Sequence, residues 1–274
     1  MGFFGKLFKS DEFSTSNKEI INAHKALQDS SLSEGERTAA LAKLKSLFFT
    51  SGDKDDLKAV AQAVLRAVRP DESVALREAA LKTLDAIVEN CLFVHNDHNH
   101  PLHAGARVKL GVLSEHAMPV LMQIAEHRSE DTKDLRRTAL ATAAKLAPFA
   151  INDECINFLA RNLNDKAEDI RTAVISAFEN LLRVSDESQK RRIARFSVPA
   201  LCEALDDAAL WVRASRVLAG LEKFALGAAP FLYKKLDDKD GEWAAAALRK
   251  VTGEQYGKEE KGKWEQWLKK AVIE

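Results

Sequence analysis

The chain has 274 residues, with 41 basic and 41 acidic side chains and a formal net charge of zero. That balance argues against a dedicated nucleic-acid binder, which carries a clear basic excess. A composition 46% hydrophobic and 30% charged excludes an intrinsically disordered chain. Gly (12) and Pro (6) together make 18 residues, under 7% against an ordinary share of about 12%, while Ala (42) and Leu (33) make 75. A chain so poor in breakers and so rich in the best helix formers is predicted to be all-α, with little room for Gly-rich phosphate loops or hairpin turns.

No run reaches the ~18 to 20 apolar residues needed to span a bilayer. The first nine residues are too short, and too interrupted by Lys6, for a secretory segment, and Lys6 stands where a myristoylation site wants Ser or Thr. Phe3, Phe4, Leu7 and Phe8 form the apolar side of one or two helical turns. They suit either a cap on the chain's own core or contact with an anionic membrane or a partner. Residues 1–17 read as this segment plus a polar linker, and His24 reads as an ordinary helix-surface residue.

From residue 18 onward, amphipathic helices recur in pairs. Leu57, Val60, Ala61, Val64, Leu65 and Val68 trace one helix face before Pro70, and Leu76, Ala80, Leu84, Ile87 and Val88 trace the next. An acid is followed six residues later by Arg, itself preceded by an apolar residue. The cases are Asp71 with Leu76-Arg77, Glu130 with Leu135-Arg136, Asp165 with Ile170-Arg171 and Asp207 with Val212-Arg213, and Ser31 with Arg37 is a weaker copy. The acid is expected to cap the second helix of its pair, and the Arg to reach the acid of a neighbouring pair.

This pattern resembles HEAT repeats. The resemblance rests on the Asp-x5-Arg spacing, on Pro119, Pro199 and Pro230 read as first-helix starts, and on Arg-x-Ala-Ala-Leu segments such as Arg77-Glu-Ala-Ala-Leu. The short bacterial HEAT-like type is the most similar. It covers residues 18–253 and implies an α-α superhelix of about six helix pairs whose second helices line a concave, usually protein-binding, face. Residues 254–274, with Trp264, Trp267 and Leu268, resemble the aromatic capping helix that closes such a stack, after a helix stop at Thr252-Gly253.

The Arg-to-Arg spacings are 40, 59, 35 and 42, so the second marks an insertion of roughly 20 residues, at about 92–112. It carries His95, Asp97, His98, His100 and His103, ligand types for a transition metal, but in no recognisable metal spacing. The reading is a polar loop, with a metal site or a pH-sensing contact as alternatives. No cofactor is expected. Cys91, Cys155 and Cys202 lack CxxC spacing and read as buried apolar residues of a protein kept in a reducing cytoplasm.

The resemblance implies a non-catalytic scaffold that binds a protein or peptide. Second-helix positions Lys82, Arg137, Glu179 and Arg183, with Trp211 and Arg216, are the candidate binding residues. The alternatives are a HEAT-like DNA-repair glycosylase or other nucleic-acid-binding solenoid, and a peripheral-membrane adaptor. For the former, the only basic run is Lys190-Arg191-Arg192-Ile193-Ala194-Arg195, read as a solvated stripe.

Overall fold

A computed structural model describes residues 13–126 and 133–271. Phe3, Phe4, Leu7 and Phe8, like Glu130 of the third acid–Arg pair, lie outside those residues. The chain divides into two compact units, residues 1–150 and 151–274.

The N-terminal unit holds three helix pairs: α1 (Lys18–Gln28) with α2 (Glu34–Thr50), α3 (Lys54–Arg66) with α4 (Val74–Asn96), and α5 (His103–Glu126) with α6 (Lys133–Leu146). First helices pack on first helices (α1 on α3, α3 on α5) and second on second (α2 on α4, α4 on α6), which makes two layers. Ile20, Leu41, Leu44, Phe48, Val60, Val64, Leu81, Leu84, Leu113, Leu121 and Leu140 are wholly buried between them. Each such side chain stabilises the unit by roughly 1.5–3 kcal/mol relative to exposure.

The C-terminal unit repeats the plan with α7 (Asp153–Asn162) and α8 (Glu168–Val184), α9 (Glu187–Ala204) and α10 (Trp211–Leu221), and α11 (Ala229–Lys234) and α12 (Glu242–Thr252). Here α8, α10 and α12 form the second layer, and α9 packs on α7 and on the 3-10 stretch Glu222–Ala228 that leads into α11. Gly253 ends α12 with φ +82°, the left-handed turn that glycine adopts freely. α13 (Lys261–Ala271) then packs on α11. Its Trp264 is completely buried, donates Nε1–H to the Gly257 carbonyl at 3.0 Å and meets Tyr256 edge-on at 5.0 Å.

The acid–Arg motif forms, with one change of role. Among the described residues the motif acids are not the N-caps. Ser33 caps α2 in a reciprocal box with Glu36, and Ser73 caps α4 by accepting the Leu76 N–H. Asp165 and Asp207 instead accept the N–H two residues on, at 2.9 Å each, and shape the turn before the helix. The arginines caps carbonyls behind them: Arg37 donates to the Leu27 carbonyl (2.7 Å), Arg77 to Val68 (3.3 Å), Arg136 to Ala125 (2.7 Å) and Arg171 to Asp165 (2.8 Å). Two also reach forward to the next pair, Arg37 to Glu72 and Arg171 to Asp207, at 2.7 Å each. Each of these four arginines thus joins the two helices of its own pair, and two of them tie neighbouring pairs, whereas Arg213 reaches back to Ser176 and Glu179 of the preceding pair.

Three sequence expectations are corrected. Pro119 and Pro199 lie inside α5 and α9, not at helix starts; only Pro230 opens a helix. Each internal proline costs its helix one hydrogen bond, tolerated because packing on both sides fixes the segment. The insertion is not a loop: it lengthens α4 to 23 residues and α5 to 24, leaving a turn of only 97–102. His24 is not a surface residue. It is buried, stacked on Phe13 at 4.0 Å, with Arg66 Nη1 3.1 Å from its Nε2. Burial, and then the Arg66 charge, lower its pKa to about 4.

Candidate functional site

Each unit presents a row of polar side chains across its second layer. In the N-terminal unit the row is closed on itself. Lys145 of α6 donates to both Asp85 oxygens (2.8 and 2.9 Å) and to Glu89 (2.8 Å) on α4, and Thr142 adds a bond to Asp85 at 2.7 Å. These hydrogen bonds raise the Lys145 pKa against the lowering effect of burial. Two carboxylates and one ammonium satisfy each other and lock α4 to α6.

The row in the C-terminal unit is more open and more cationic. Arg213 of α10 grips Glu179 of α8 at 2.6 Å and Ser176 at 2.7 Å. Glu179 also lies 3.9 Å from Arg216, whose guanidinium sits 5.8 Å from the ring centre of Trp243 on α12. Arg216 and Arg183 are exposed, and Trp243 shows 47% of its surface to solvent. One carboxylate therefore faces two arginines beside an uncovered aromatic ring. Tryptophan and arginine are the side chains most often found as interface anchors.

Of the six predicted binding residues, Glu179 and Arg216 fall in this row, and Arg183 lies one turn beyond Glu179 on α8. Trp211 is half-buried at the first position of α10. Lys82 and Arg137, in the N-terminal unit, are exposed and pair along their own helices, with Glu78 at 3.5 Å and Asp134 at 3.8 Å. Such pairs are worth a few tenths of a kcal/mol, about 0.2–0.5. The residue missed from sequence is Trp243. The signal was present in the sixth pair, where Gly241 replaces the motif Arg. A Cβ at Gly241 would overlap the Leu236 carbonyl, so the turn is too tight for a side chain there, and Trp243 supplies the bulk two positions later.

The other candidates resolve as follows. His95 stacks on His103 (ring centres 5.0 Å, 10°), and His98 meets His103 edge-on at 4.9 Å. Burial, with the charges of His103, Arg107 and His98, holds the His95 pKa below the usual value. Among the described residues no group of three or more His, Cys, Asp or Glu is placed to hold a metal ion. Cys91, Cys155 and Cys202 are buried, and burial pushes their thiols up to about 11, 12 and 11. These are poor nucleophiles. The basic run is occupied within the fold: Lys190 pairs with Glu222 (2.8 Å) and Arg192 with Asp153 (3.0 Å), while Arg191 lies over Phe224 and Arg195 over Phe196, each at 5.3 Å. Among the described residues no helix is long and apolar enough to cross a membrane.

Two layers of paired helices, stacked pair on pair, define a helical-repeat α-solenoid. No protein-family model matches the sequence, and no curated protein matches it. Solved structures do match. A designed armadillo repeat protein in complex with the peptide (KR)4 is 18% identical over 86% of this chain and 100% of its own, with a TM-score of 0.57. A computationally designed armadillo repeat protein for modular peptide recognition is also 18% identical, over 86% and 100%, at 0.56. An engineered protein is 15% identical over 86% and 98%, at 0.56. The fold is of the HEAT/armadillo-like repeat α-solenoid type.

Proposed function

We propose that this chain is a non-catalytic scaffold that holds a protein or peptide partner against its second-helix layer, chiefly in the C-terminal unit. The observation that carries the reading is the row of Arg213, Arg216 and Trp243 around the carboxylate of Glu179, with exposed Arg183 one turn along the same helix. Its excess of guanidinium groups beside an exposed ring suits a segment bearing carboxylates and a large apolar side chain. Likeness of fold to repeat proteins designed for peptide recognition supports the same reading. A rigid layer of packed helices also loses little freedom on binding. A nucleic-acid-binding solenoid has less support, because Asp85 and Glu89 line the other row and the basic run is engaged internally. The proposal places the protein in a reducing cytoplasm.

The test is affinity capture from native lysate with charge reversals at Arg137, Glu179 and Arg183. A partner held on the second layer is lost from at least one of the three. Full retention by all three would move the site elsewhere on the molecule.

A further inference from the structure

The N-terminal unit contains a pocket of about 270 Å³ between the C-terminal ends of α2 and α4 and the first turns of α5. Phe49, Cys91, Val94, Leu102 and Ala106 give it an apolar wall, and Lys109 is the one charged residue among those lining it. The Cys91 thiol is pushed up to about 11 by burial, so that wall stays neutral. A Cβ added at Gly52 or Gly105, both on the lining, would meet nothing within 4 Å, so the space continues up to the backbone.

Lys109 is the unusual feature. Its Nζ donates to the Phe49 carbonyl at 2.7 Å, in the last turn of α2, and lies 5.8 Å from the centre of the Phe48 ring. An ammonium has three donors, so two remain. Among the described residues no carboxylate pairs with it, although the side chain is partly buried and burial lowers its pKa. A half-buried cation facing an apolar space is costly until an anion joins it.

We infer that this pocket binds a small carboxylic acid, with its carboxylate on Lys109 Nζ and a compact apolar body against Phe49, Val94 and Leu102. At roughly 30 Å³ per water-sized group the space takes about nine non-hydrogen atoms, which is the size of a medium-chain or aryl acid. The pocket lies wholly in the N-terminal unit and is independent of the partner row proposed above.

Octanoate is the probe, and 1-octanol is its neutral counterpart. Calorimetric titration of the full chain should give octanoate a Kd below about 1 mM, with 1-octanol at least about tenfold weaker, the loss of one charge-assisted hydrogen bond. Lys109→Met should weaken octanoate by about tenfold or more and leave 1-octanol unchanged. Gly105→Phe leaves Lys109 in place but fills the space, and should abolish binding of both. A melting curve for each variant checks that it folds, and Lys109→Arg should restore binding. Equal affinity for octanoate and 1-octanol, undiminished octanoate binding by either loss variant, or no binding of octanoate to the wild-type chain would each overturn the assignment.

Discussion

All seven histidines fall in the N-terminal unit, while all four tryptophans and both tyrosines fall in the C-terminal one. The two units share one helix-pair plan and the same Arg-to-carbonyl link, yet their second layers end differently. In the N-terminal unit, Asp85, Glu89, Thr142 and Lys145 close on each other and leave little to offer a partner. In the C-terminal unit, Glu179 is outnumbered by arginines and Trp243 stays open. The repeat builds the stack, and the few variable positions on its second helices decide whether a row locks the fold or presents a surface.

The largest expected effect is on the aromatic plug. Trp264→Ala empties a fully buried site and should destabilise the C-terminal unit by about 3–5 kcal/mol. Hydrogen exchange should rise in α11 to α13 while the N-terminal unit keeps its protection; a uniform rise would mean that the two units unfold as one.

Acid should do the reverse. Unfolded His24 takes its proton near pH 6.5, folded His24 only near 4. The unfolded state binds more protons across that window, so stability is full above pH 6.5, falls by about 1.4 kcal/mol per pH unit as pH drops toward 4, and is flat below. His24→Phe should remove this slope. Tryptophan fluorescence, which reports only the C-terminal unit, should not register the loss. A wild-type slope persisting in His24→Phe would assign it to other groups.

Removing the exposed anchor comes next. Trp243→Ala should weaken a captured partner by about 2 kcal/mol, roughly thirtyfold, with no change in melting temperature. The smallest effect is Lys145→Met, at about 1 kcal/mol, because the cluster is partly solvated. It should loosen α4 against α6 and leave partner binding intact. A loss of binding there would show that the N-terminal row also makes contact.

Five of the six helix pairs were legible because the acid–Arg spacing, or its weaker Ser31–Arg37 copy, marks their inter-helix turn, and that turn is local chemistry. The capping helix was legible through the Gly253 stop and the Trp264 and Trp267 spacing. The insertion was not. Cys91 to His103 has loop-type polar residues, but α4 and α5 extend through most of it because Cys91 and Ala106 find buried positions there. Pro119 and Pro199 misled for a similar reason, since packing overrides one missing hydrogen bond. His24 shows the limit most clearly, because its burial depends on Phe13 and Arg66, which the helix pattern does not join to it. Of the candidate site, Glu179 and Arg183 followed from helix register and Arg216 from its residue type, whereas Trp243 depended on the tight turn at Gly241.

The most direct measurement is quantitative affinity capture comparing the wild type, an Arg216→Glu/Trp243→Ala double variant and an Arg161→Glu control on first-layer helix α7. The same partner should be recovered with wild type and control and depleted by at least about tenfold with the double variant, matching the loss of two interface anchors. Equal recovery with all three would contradict a binding surface on the second layer of the C-terminal unit.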